Sequence, residues 1–204
     1  AASGGSCIVS KFYDQTGHSN HMTQGTAASM PALVFSLLGG LPGIQCTAAS
    51  NQVLSTPNIT QAQPFAYIGV AQRPTAVDAG AIFATLGVSF IEVSGSVAGT
   101  ANNWTIYETS GNTSTPTTVL DSAFHAALGQ FNTTTALYID GSSAASGSLG
   151  TTGLSANAFR VCRGNATHSG SPKIMEVGVW PADETANAAA ISANQHSATV
   201  GYNF

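Results

Sequence analysis

Charge is what this chain of 204 residues has least of: 7% of its residues are charged, and only five are Lys or Arg. So few cations leave no patch able to neutralise several phosphates, which argues against nucleic acid as a partner. Long apolar runs are missing too. The longest, around Ala32 to Leu38, is too short to span a bilayer, so no membrane insertion is expected. The first residues, AASGGSC, carry neither a Met nor a basic-then-apolar leader, as expected if a leader has been removed or the numbering begins inside a longer chain. Cysteine is scarce. Cys7, Cys46 and Cys162 allow one disulfide, leave one thiol over and match no zinc spacing. No Gly-x-Ser-x-Gly elbow sits between a strand and a helix, which removes that form of nucleophilic catalysis.

What the chain does have is Gly, Ala, Ser and Thr, a neutral hydroxyl-rich composition that suits an extracellular or virion surface. Its apolar residues recur with a period of two. FAYIGVA (65–71), FHAALGQF (124–131), ALYIDG (136–141) and IMEVGVW (174–180) are examples among roughly ten short aromatic or β-branched runs set between Gly, Asn, Ser, Thr and Pro. This pattern predicts an all-β chain over residues 1–204, folded as one antiparallel β-sandwich. Pro181–Ser197 is the exception, an Ala-rich stretch expected to form a short C-terminal helix capped by Asp183.

The segment KFYDQTGHSNHMTQ (11–24) is the densest in chemistry. Asp14 can accept N–H bonds from the turn that follows, Gly17 can supply a positive φ, and Asn20 can bond the returning strand. It reads as a hairpin staple. Asp14, His18 and His21 are three potential metal ligands, but on one loop without fixed outer partners they predict no metal site. No cofactor is implied.

FYDQTGHSNHMTQ, then MPALV, QPFAYIGVAQRP, ALYIDG and KIMEVGVW, resembles the concanavalin A-like jelly-roll superfamily along almost the whole chain. The similar subgroup shares a Tyr-Asp-Gln-Ser-Gly-x-x-Asn-x-x-Thr-Gln motif, which Tyr13, Asp14, Gln15, Gly17, Asn20, Thr23 and Gln24 match. Thr16 replaces Ser, and His18 the usual Asn. That subgroup includes the catalytic domain of arabinofuranosidase B and lectin-like modules of bacterial surface and phage structural proteins. Its enzymes place a nucleophilic Glu in a Gly-Asn-Ala-Glu segment downstream of the strand matching Phe65–Ala71. The corresponding stretch here, AIFATLGVSF (81–90), has no carboxylate, so the resemblance transfers no catalytic residue. Relatives also carry more sequence before the motif, so an edge of the sandwich is expected to be covered by other subunits of a particle or filament.

The expected function is therefore a non-catalytic lectin-like surface module that binds or displays glycan. A purely structural decoration protein and a glycoside hydrolase are the alternatives. Hydrolysis would need a pair of carboxylates across a cleft, and Glu92, Glu108 and Glu176 are the strand carboxylates that could be recruited. Sugar binding would need an aromatic platform with planar polar neighbours. NNWTIYE offers Trp104 with Asn103 and Glu108, and Tyr67 and Arg73 are expected to neighbour them; the alternative is that Trp104 and Tyr67 are core residues. Trp180, at a strand end, reads as a lid on the core. For the cysteines, Cys7 opens the first strand and Cys46 follows the second hairpin element, so these two are expected to pair, leaving Cys162 buried and reduced.

Overall fold

The computed structural model describes residues 7–72, 80–85, 89–94, 103–108, 111–114, 122–148, 154–164, 169–197 and 201–202. Two antiparallel sheets face each other. The first has eight strands in the spatial order β1 (Lys11–Phe12), β2 (Met22–Thr23), β5 (Leu54–Gln61), β14 (Leu154–Val161), β7 (Gly80–Thr85), β8 (Ser89–Ser94), β9 (Asn103–Glu108) and β10 (Gly111–Ser114). The second has seven: β13 (Ser142–Gly147), β12 (Thr135–Ile139), β11 (Phe124–Phe131), β6 (Phe65–Gln72), β15 (Lys173–Trp180), β4 (Leu41–Gln45) and β3 (Ala32–Leu38). The fold is a β-sandwich with one short C-terminal helix.

Strand alternation decides which side chains meet between the sheets. Along β6, Phe65 and Tyr67 point inward, while Ala66 and Ile68 point out under the helix α1 (Ala188–His196) with Leu128 and Ala188. Phe65 stacks on Phe131 at 4.8 Å between ring centroids, and Tyr67 lies 4.9 Å from both Phe131 and Phe159. The Tyr67 hydroxyl donates to Thr85 Oγ1 at 3.2 Å, joining the two sheets through a satisfied polar contact inside an apolar core.

Three expectations are corrected. The disulfide joins Cys46 to Cys162, with Cα atoms 6.0 Å apart, and Cys7 is exposed and unpaired. Cys46 follows β4 and Cys162 follows β14, so the bond ties one sheet to the other across the core. Cys7 instead lies beside β3, where its carbonyl accepts the Leu33 N–H at 2.8 Å. The helix also starts later than expected: Asp183 Oδ1 accepts the Thr185 N–H at 2.9 Å, but the N-cap position of the 3₁₀ turn over Thr185–Asn187 is Glu184, and this turn leads into α1. Finally, Trp180 is 44% exposed and is no lid on the core.

Candidate glycan-binding groove

A groove of about 860 Å³ opens where the first sheet's edge meets β15. Its walls come from the β1–β2 turn, from Thr56 and Ile59 of β5, from Phe159 of β14 and from Met175–Trp180. The topology accounts for the opening. β4 pairs with β15 only at Lys173 and Ile174, and from Glu176 to Trp180 all described pairings of β15 are with β6. Val177 and Val179 pack against the core, so Glu176, Gly178 and Trp180 fall on the other side of the strand.

The β1–β2 turn is held together by Asp14, whose carboxylate accepts three hydrogen bonds from within it. Oδ1 accepts the Thr16 N–H at 2.7 Å and the Thr16 hydroxyl at 2.6 Å, and Oδ2 accepts the Asn20 N–H at 2.9 Å. Gly17 has φ +83°, a left-handed conformation that glycine adopts without a Cβ penalty. The Thr16 hydroxyl proton is committed to Asp14, so His18 Nδ1, 2.9 Å from Thr16 Oγ1, is the donor in that contact. The Asp14 N–H donates to His21 Nδ1 at 3.1 Å, which makes that nitrogen an acceptor. The Thr16 hydroxyl and the backbone donors of Thr16 and Asn20 hold the Asp14 carboxyl down at about 2, from an ordinary 3.8. Among the described residues no group of three or more His, Cys, Asp or Glu is arranged to hold a metal ion.

Two aromatic rings in this groove face solvent. Tyr13 is 62% exposed and Trp180 44%. Tyr13 is held edge-on by the His21 ring at 5.2 Å, with the Lys11 ammonium 4.6 Å from its centroid. Trp180 lies along its own strand, over Gly178: a Cβ there would stand 2.5 Å from Trp180 Cζ3, so the missing side chain is what lets the indole lie flat. The polar side chains lining the same groove include Gln15, Asn20 and Glu176. Tyr202 also lines it, donating its hydroxyl to Glu176. Burial first, and the Glu176 charge second, push the Tyr202 hydroxyl above its ordinary range, so it stays a donor.

The expected glycan residues lie elsewhere. Trp104 and Tyr67 have no exposed surface, and Trp104 meets the His125 ring edge-on at 6.0 Å. Both are core residues, and neither can stack on a sugar. β9, which carries Trp104, stands near the opposite end of its sheet from β1 and β2. Arg73 lies outside the described residues, as do the side chains of Asn103, Glu92 and Glu108. The sequence singled out Tyr13, Asp14, Gln15 and Asn20 as a structural turn only; that turn forms one wall of the groove. Trp180 and Gly178 went unrecognised, although a Gly two residues before a Trp in one strand already places them on the same face.

No protein-family profile matches the sequence, and no curated protein matches it. Solved structures do match in fold. The binding domain of Paraclostridial Mosquitocidal Protein 1 superposes with a TM-score of 0.66 at 13% identity, over 92% of this chain and 51% of that one. Domain 4 of AbnA, an extracellular arabinanase of Geobacillus stearothermophilus in complex with arabinotriose, gives 0.61 at 10% identity, over 83% and 82%. An arabinofuranosidase complexed with arabinofuranosyl-α-1,2-xylobiose gives 0.63 at 13% identity, over 91% and 50%. The chain thus spans about half the length of the mosquitocidal and arabinofuranosidase chains. At these identities the likeness establishes the shared β-sandwich.

Proposed function

We propose that this chain is a non-catalytic glycan-binding module of an extracellular or virion surface, and that the groove between the β1–β2 turn and β15 is its binding site. The observation that carries this is that two exposed rings, Tyr13 and Trp180, line the same groove as several polar side chains. A pyranose or furanose presents an apolar face and a rim of hydroxyls, and this surface offers a partner for each. The turn also supports placing the chain in the Tyr-Asp-Gln subgroup of concanavalin A-like modules. Support from similar folds comes from the arabinanase domain with its arabinotriose and from a putative carbohydrate-binding protein of Bacteroides ovatus, which matches at 15% identity and a TM-score of 0.53. A disulfide fits an oxidising compartment.

The non-catalytic reading rests on the sequence: AIFATLGVSF (81–90), which corresponds to the stretch that carries the nucleophilic Glu in the resembling arabinofuranosidases, has no carboxylate. Asp14, whose two oxygens accept three hydrogen bonds from its own turn, is spent on holding that turn. The test is titration calorimetry with arabino-, xylo- and galacto-oligosaccharides, alongside assays for released sugar. An indole 44% exposed presents about 110 Å² of its roughly 250 Å². A sugar covering half of that gains about 1.4 kcal/mol at ~25 cal/mol per Å², so Trp180→Ala should weaken binding about tenfold. Binding that is unchanged in Trp180→Ala and in Tyr13→Ala would remove the groove as the site. Turnover abolished by Glu176→Gln would make the protein an enzyme.

A further inference from the structure

Building on the glycan reading above, we infer that the groove selects neutral oligosaccharides and rejects those bearing carboxylate or sulfate groups. Among the described residues lining it, the formally charged side chains are Asp14, Glu176 and Lys11: two carboxylates and one ammonium, a net charge of −1. Neither carboxylate is cancelled by an ion pair within the groove. The hydrogen bonds to Asp14 come from neutral donors of its own turn, with His18 adding a weaker charge interaction, and Glu176 accepts from the neutral hydroxyl of Tyr202. Both carboxylates therefore repel an anionic ligand.

The single cation is already engaged. Lys11 Nζ sits 4.6 Å from the Tyr13 ring centroid, and turning it towards an anionic sugar would take it off the ring that forms the platform. No Arg is among the described lining residues, although a bidentate guanidinium is the usual means of reading a carboxylate or sulfate. Neutral hydroxyls face the opposite situation. They can donate into the remaining lone pairs of Asp14 and Glu176 and accept from the Gln15 and Asn20 amides. A groove of about 860 Å³ lies towards the upper end of the range for ligand sites and suits an oligosaccharide of several units better than one terminal sugar.

The experiment uses matched pairs: lactose with sialyllactose, a xylo-oligosaccharide with its glucuronic-acid-substituted form, and a galactan with a galacturonan fragment, each titrated at low and physiological salt. In every pair of which either member binds, the neutral member should bind at least about tenfold tighter, with the gap widening at low salt. Glu176→Gln should narrow the gap severalfold, whereas Trp180→Ala should weaken both members alike. A charged member that binds as tightly as its neutral partner, or a gap that Glu176→Gln leaves intact at low salt, would overturn the inference while leaving the glycan site in place. If no member of any pair binds the wild type, the glycan reading itself falls, and the selectivity with it.

Discussion

Breaking the Cys46–Cys162 bond should cost this protein a large part of its stability. The bond spans a sequence separation of 116 residues, and closing a loop of that length removes about 5 kcal/mol of entropy from the unfolded chain in the loop-closure account. Domains are commonly stable by only about 5–15 kcal/mol, so a third or more is at stake. Both cysteines are buried, at 1% and 0% exposure, so their replacement by Ala leaves a small packing defect in the same direction. At about 2–4 °C per kcal/mol for a chain of this size, Cys46→Ala/Cys162→Ala should melt about 10–20 °C below wild type. Cys7→Ala, at an exposed position, should stay within about 2 °C. Calorimetry under non-reducing conditions measures both, and peptide mapping without reductant identifies the linked pair. A Cys7–Cys46 peptide, or a double variant melting within about 3 °C of wild type, would refute the reasoning.

The Asp14 carboxyl titrates in the folded state at about 2 against 3.8 ordinarily, so its contribution to the turn is complete above about 3.8 and is lost as pH falls through about 2. Carbon-detected NMR should find that midpoint, and Thr16→Val, which removes the largest cause, should raise it; a midpoint unmoved by Thr16→Val would contradict the assignment. A methyl at Gly69 would collide with the Glu176 carbonyl and reach 2.5 Å from Phe83 Cζ, so Gly69→Ala should destabilise the protein by about 1–3 kcal/mol in denaturant melts. Gly178→Ala should instead leave the melting curve close to wild type, because the displaced group is the end of a side chain. It should push the Trp180 indole outward, shifting fluorescence to the red and weakening oligosaccharide binding together.

The sequence by itself determined the period of the strands and the chemistry of its local turns. Phe65–Gln72, Phe124–Phe131 and Lys173–Trp180 alternate strongly enough to be read as strands from their own residues. The hydrogen bonds of the Asp14 carboxylate reach only to Thr16 and Asn20, and that of its N–H to His21, so the residues that make them lie within one short stretch. Strands such as LSTPNITQ (54–61), SSAASG (142–147) and GNTS (111–114) carry a proline or little apolar alternation, and they are strands because neighbours supply the hydrogen bonds. Alternation also fixes that two sets of side chains face opposite ways without fixing which set faces inward. The packing of one sheet on the other buried Trp104 and Tyr67, and the departure of β4 from β15 left Trp180 in the open. Cysteine pairing obeys the same limit: whether Cys46 meets Cys7 or Cys162 depends on which strand ends come within about 7 Å. That distance is set by contacts between residues far apart in the chain, which no local pattern records.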